Sequence, residues 1–392
     1  MAVKGVFTSN ANIAGARKGD FASGLLQTQP NGSAPLLALT SGMSSRDAMD
    51  TVVTWFEENH LSGRVNITNN AGTGTTVIVD DASAIVAGHI FYFEASGELA
   101  FVELVASLTL TVQRGFGGTV ATAIDGSAVV KPIQRIGTAF EEGSARPTAY
   151  ANLGFPRINY LQIFRNSWDV TGTAQAVQFY TGNIQAKNRA DAALFHAEDM
   201  ERAMIWGRKT VGTFQSKPFR TMDGLKVQFV TNGNFAQGAN TKWIDLKNFF
   251  KALFAVNIKG QPNERVVLCG NEPLNILDQI AYLDGTMEIV PGQADWGMQI
   301  VTVRTPFGTV VFKSHPLMVE SPLWTKDMMC FHPAAIEMRY LRRTNEDNYD
   351  QDGRRAGNDS NFGVFTTEMC MTYKAEKTGG WYAGIDTAAA TI

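Results

Sequence analysis

Four short runs rich in apolar residues follow one another between residues 75 and 113. They are Thr75 to Val79 (TTVIV), His89 to Glu94 (HIFYFE), Leu99 to Val105 (LAFVELV) and Leu108 to Gln113 (LTLTVQ). Alternating side chains point to opposite faces of a strand, and β-branched and aromatic residues suit a pleated surface. Turn signals separate the runs: Asp80-Asp81, Ser96-Gly97 and the cluster Gly115, Gly117 and Gly118. Strands at this spacing predict a small all-β module over residues 63–130. The flanks differ. Thr51 to Glu58 (TVVTWFEE) reads as a strand, as do Ile158 to Phe164 and Ser167 to Val170, while Pro147 and Pro156 exclude helix around them. The module therefore reads as an insertion between two halves of a larger unit.

A period of three to four replaces alternation from Asn183 to Arg208. Ala186, Ala190, Ala193, Ala197, Met200 and Met204 line one face, and Glu198 with Arg202 forms an i,i+4 pair. Gly207 is the stop signal. Such a helix has about 22 residues and spans about 33 Å. Trp243 to Val256 is a second amphipathic helix, and Asn271 is placed to cap a third through Leu274, Leu277 and Ile280. Short strands are expected at Arg265 to Leu268, Met298 to Arg304, Thr309 to Ser314, Ala334 to Leu341 and Val364 to Tyr373. Pro306-Phe307-Gly308 turns the middle pair into a hairpin, and Thr344 to Asn361 reads as a polar loop. Helices and strands mix without regular alternation, so the class is α+β.

Residues 1–45 are rich in Gly, Ala, Ser, Asn, Thr and Gln and show neither period. Such a segment buries too little to offset its ordering entropy. It is either a disordered tail or an arm that orders against a neighbouring subunit.

The chain has 392 residues, which predicts two or three domains. Its net charge of -3 argues against a protein that grips nucleic acid through phosphates. Cys269, Cys330 and Cys370 are far apart and form no CxxC, so no disulfide framework is expected. The first ten residues lack an apolar core of a signal peptide, and no apolar run is long enough to cross a membrane. A soluble chain folded in a reducing cytosol is expected.

Catalytic motifs are missing: there is no P-loop, no GxSxG and no HExxH. Gly115-Phe116-Gly117-Gly118 follows a strand but precedes no helical pattern, so it reads as a tight turn. His196 lies on the long helix near Asp191 and Glu198, which predicts a charged, solvated surface. Asn348, Asp350, Asp352, Gly353 and Asp359 imitate a calcium loop, but Arg354 and Arg355 intrude and the bidentate glutamate is lacking. Glu57-Glu58 and Glu141-Glu142 are adjacent pairs, which a strand would send to opposite faces. No catalytic residue, cofactor site or metal ligand is predicted, and the chain is not expected to be an enzyme.

Residues 157–210 resemble the major capsid proteins of tailed bacteriophages. The resemblance rests on Tyr160-Leu161-Gln162-Ile163-Phe164-Arg165, on Val170-Thr171-Gly172-Thr173-Ala174-Gln175-Ala176-Val177, and on the long charged helix after them. Thr76 to Ser83 and Leu108 to Thr119 are similar to a β module seen in that family. Ile136 to Gly143 resembles its onward link, and Pro306 to Val310 its axial hairpin. The resemblance covers roughly two-thirds of the chain. It departs after Leu341-Arg342-Arg343-Thr344, where the family is shorter.

The resemblance implies the tailed-phage major capsid fold with an inserted all-β module. Its N-terminal arm would be 1–45. Extended loop and peripheral strands would be 46–62 and 131–182, with the module 63–130 between them. A peripheral domain with the long spine helix would span 183–260, the axial domain 261–345, and a C-terminal return 346–392. The implied role is a head protein that self-assembles into hexamers and pentamers of an icosahedral shell around double-stranded DNA. The implied partners are copies of itself, portal and scaffolding proteins and a decoration protein. Assembly is expected in the host bacterial cytoplasm, and residence in the virion capsid. Long strands without a local core are liabilities unless a neighbour covers them. Ile158 to Val170 is thus expected to lie over an adjacent subunit, with Phe164 and Trp168 as inter-subunit anchors. Two other readings remain: a bacterial encapsulating nanocompartment shell, and a carbohydrate-binding or carbohydrate-active β protein.

Overall fold

The computed structural model describes residues 36, 37, 40, 44–58, 62–127, 129, 131–177, 182–231, 233–238, 242–284, 290, 291, 301–349 and 359–386. The chain divides into two compact units, residues 56–157 and the remainder.

The smaller unit is built on a six-stranded antiparallel sheet. Its order is Arg64–Ile67, Lys131–Thr138, His89–Phe93, Leu99–Ala106, Thr109–Gln113 and Thr76–Ile78. Alternation sends Ile67, Val77, Phe91, Phe93, Val102, Leu110 and Ile133 into one core. The four runs read from the sequence are all strands here. The module does not stop at residue 130, however. Lys131–Thr138 pairs with Arg64–Ile67 on one side and His89–Phe93 on the other, with Ile133 opposite both Val65 and Phe93. Those residues close the module's sheet and are not part of a free loop.

The glycine cluster is a turn, as expected. Gly115, Gly117 and Gly118 all have positive φ, and a Cβ on Gly115 would lie 2.8 Å from the Thr119 carbonyl oxygen. The turn also serves a buried ion pair. Arg114 donates two hydrogen bonds of 2.6 Å to Glu98, whose side chain is fully buried. Glu98 also accepts from the backbone N–H groups of Gly115 and Thr122, and Arg114 donates to the carbonyls of Gly72, Gly74 and Thr122. Burial pushes the Glu98 carboxyl up, but the bonds from Arg114, Thr122 and Gly115 outweigh it and hold the group below the usual carboxylate range. The folded module therefore favours the carboxylate more than the unfolded chain does. This stabilisation is present above the ordinary carboxylate pKa of about 4 and is lost as pH falls through the depressed value. Thermal melts of the module should drop as pH falls below the ordinary carboxylate value of about 4. In Glu98→Gln that part of the drop should be absent.

The larger unit holds two large sheets, a separate two-stranded hairpin and the long helix. One sheet has the order Ser45–Asp47, Ile336–Tyr349, Ser360–Tyr373 and Gln162–Thr171. The second has seven strands: Asn234–Gln237, Gly380–Ala383, Met328–Phe331, Glu264–Cys269, Gly308–Ser314, Val301–Thr305 and Val290–Pro291. Thus the axial sheet recruits strands on both sides of the expected interval 261–345. Phe250, Leu253, Val267, Val310 and Phe312 form a core beside this sheet.

The spine helix is Ile184–Trp206, within two residues of the expected bounds. Asn183 caps it by accepting from the N–H groups of Gln185 and Ala186, and Gly207 ends it. The second helix, Trp243–Leu253, is three residues shorter than its apolar pattern. The third, Asn271–Asp284, starts at the residue expected to cap it. The polar loop expected at 344–361 is replaced at both ends by strand. Ile336–Tyr349 and Ser360–Tyr373 pair antiparallel as far as Tyr349 opposite Phe362. The residues of the calcium-like pattern from Asp350 to Gly353 lie outside the described residues.

Candidate assembly surfaces

Strand Gln162–Thr171 alternates cleanly, with Phe164, Trp168 and Val170 buried and Ile163, Arg165 and Asp169 exposed. The buried face meets the spine helix and the core. Phe164 is 6% exposed and packs in a cluster containing Met200, Met204 and Met369. Trp168 is 4% exposed and lies with Val170, Ala192 and Phe365. Its indole N–H donates to Glu346 Oε1 at 3.0 Å. Arg189, on the spine helix, also grips Glu346, with its Nε 2.8 Å from the same oxygen. That bond, helped by Trp168, holds the Glu346 carboxyl below its ordinary range against the opposing effect of burial. Both expected anchors thus face their own chain. The strand is paired with Ser360–Tyr373 over its full length and is not a free ribbon.

His196 also departs from expectation. It is 2% exposed. Nδ1 lies 2.7 Å from Asn166 Oδ1 and Nε2 lies 2.8 Å from Thr367 Oγ1. Burial pushes its pKa down, opposed by Asp199. The reason is its register. Ala192, His196 and Met200 are spaced by four and form the stripe that faces the sheet. That spacing was the available signal, and the flanking charges at Asp191 and Glu198 obscured it.

A second buried group escaped the sequence reading altogether. Glu201 is completely buried on the same helix. It accepts from the backbone N–H groups of Leu36 and Leu37 at 2.7 and 3.0 Å, and His315 Nε2 lies 2.6 Å from the same carboxylate. These residues of the arm therefore dock on their own spine helix. Residues 1–35 lie outside the described residues.

Among the described residues with uncovered apolar surface, two elements carry several such side chains each. The first is the stretch from Phe140 to Gly154 in the smaller unit, which has no strand or helix. Leu153 is 83% exposed, and Glu141 and Glu142 are exposed as well. Phe140 and Tyr150 are about half-exposed. A hollow of about 540 Å³ separates part of this stretch from the sheet and is lined by Gly88, Phe101, Glu103, Phe140 and Arg146. A few tethers hold the path: Tyr150 Oη to Arg135, and Asn152 to Glu58. The second is the hairpin Thr210–Phe214 with Lys217–Thr221, which follows the spine helix. Phe214 is 69% exposed and Phe219 is 44% exposed.

Among the described residues no group of His, Cys, Asp and Glu side chains is arranged to hold a metal ion. The three cysteines are free and buried, and burial pushes the thiols of Cys269, Cys330 and Cys370 up. No described helix is long and apolar enough to cross a membrane. What the described residues offer instead is uncovered apolar segments.

The chain matches the family described as SU10 major capsid protein over residues 4–386. It is 31% identical over 361 residues to the major capsid protein of Pseudomonas phage PaMx41, across 89% of this chain and 85% of that one. Its fold is similar to the capsid structure of cyanophage P-SCSP1u, with a TM-score of 0.50 and 10% identity over 95% of this chain and 94% of that chain.

Proposed function

Because the chain belongs to the SU10 major capsid protein family, and so builds a phage capsid shell, we propose that it forms hexamers and pentamers of an icosahedral head around double-stranded DNA. The observation that carries this reading is the uncovered stretch from Phe140 to Gly154. A long segment without secondary structure in a compact unit is normally functional. Its exposed Leu153 gains burial only when something else covers it. In this reading the segment is the tip of an extended loop that laps over the adjacent subunit. A head-to-tail contact repeated about an axis closes a ring, and every subunit makes several such contacts at once.

Phe164 and Trp168 serve the subunit contact from within. They fix the strand whose outer face presents Ile163, Arg165 and Asp169 to a neighbour. The net charge of -3 fits a container that encloses nucleic acid without strong adhesion. Portal and scaffolding proteins complete the head, a decoration protein is a further partner, and assembly takes place in the bacterial cytoplasm. The inserted module, with a core of its own, faces outward.

Electron microscopy of the expressed chain tests the reading. Closed particles with five- and six-membered rings, and density for residues 140–154 against the next subunit, are expected. Leu153→Ser should lower particle yield roughly ten-fold without unfolding the subunit. Normal yield from that variant would remove the lapping role.

A further inference from the structure

The hairpin that follows the spine helix is a two-stranded ribbon with both strands largely exposed. Cross-strand pairing puts Gly212 with Phe219, and Phe214 with Lys217, on one face. The Phe219 ring lies over Gly212, where a Cβ would come within 2.7 Å of it. The turn residues Gln215 and Ser216 both have positive φ, a conformation that residues other than glycine rarely take. A lone hairpin is marginal in water, and an aromatic face on it calls for cover. The element is also one-signed. Between Gly207 and Met222 there are four cationic residues and no acidic one. Lys209 is tied to Asp223 in its own chain, whereas Lys217 is exposed.

The uncovered stretch of the smaller unit has the matching character. It carries the exposed pair Glu141-Glu142 and the exposed Leu153. We propose that the hairpin of one copy is the docking site for residues 140–154 of a second copy. The face with Phe214, Lys217 and Phe219 receives the segment, its apolar part on the two rings and its glutamates at Lys217, while Arg220, half-buried on the opposite face, adds to the positive charge of the ribbon. The inference rests on the lapping role proposed above and names the surface that is lapped. The occupant is a second copy because the chain assembles with itself and because charge and apolar character are complementary.

Four variants of the full chain test it, each first checked for folding by circular dichroism and melting of dissociated subunits. Phe214→Ser with Phe219→Ser should lower particle yield roughly ten-fold, since aromatic anchors dominate interfaces. Wild-type yield overturns the proposal. Lys217→Glu with Arg220→Glu should lower yield, and adding Glu141→Lys with Glu142→Lys in the same chain should restore it. Loss without restoration overturns the assigned pairing. Leu153→Ser separates the two readings. If it blocks assembly while the hairpin variants assemble normally, the segment laps elsewhere and only the hairpin proposal fails. If Leu153→Ser and both hairpin double variants assemble normally, the lapping reading fails too.

Discussion

Glu201→Ala is expected to cost the larger unit about 3–5 kcal/mol and to release the arm near Leu36. The carboxylate has no exposure, and its oxygens are taken by the N–H groups of Leu36 and Leu37 and by His315 Nε2. Removing it leaves two backbone donors and a buried imidazole without an acceptor. Such orphaned groups cost their full desolvation penalty. Glu201→Gln keeps one acceptor oxygen and should lose less. Denaturant melts of dissociated subunits give the stability change. Limited proteolysis gives the arm, with new cleavage expected between residues 36 and 44. A loss below about 1 kcal/mol with an unchanged digest would mean that the carboxylate does not hold the arm.

Glu98→Gln should lower the melting temperature of the inserted module while leaving that of the larger unit unchanged. The substitution keeps the volume but leaves the Arg114 guanidinium, whose side chain is 4% exposed, without its counter-charge. Breaking one partner of a buried pair costs about 3–5 kcal/mol. A sheet of six short strands has little stability to spare. The damage should stay local, because the module's core is made of its own residues, from Val65 to Ile133. The buried residues of the two large cores in the other unit come from Leu36 and from residues 164–385. Calorimetry of dissociated subunits should show two transitions, with only one shifted. A single shifted transition would show that the units fold as one.

The two predictions turn on groups that differ in how legible they were. The module was plain in the sequence, because each strand alternates within five to eight residues and the glycines of its turn require positive φ. The spine helix was equally plain, with Asn183 and Gly207 at its ends. Local pattern identifies a face but not what covers it. Phe164 and Trp168 read as anchors on an adjacent subunit, because nothing near them in sequence points to Glu346, which lies 178 residues away from Trp168. Residues 344–349 are a strand although their composition is that of a loop, because they pair with Ser360–Tyr373. His196 and Glu201 are polar residues in an apolar stripe, and their partners Thr367 and His315 are again far along the chain. Lys131–Thr138 was assigned to the wrong unit because Pro132 and the polar Gln134 and Arg135 weaken its alternation. Its place is decided by pairing on both edges, with Ile133 and Gln134 opposite residues of the strands on either side. Family resemblance supplied the architecture that these local signals could not.

Assembly depends on apolar segments that are uncovered in one copy and covered by another. Hydrogen–deuterium exchange of residues 140–154 and 210–221, compared between assembled shells and dissociated subunits, measures this directly. Slow exchange in the shell and fast exchange in the free subunit is the expected result. Equal exchange of both segments in the two states would contradict it.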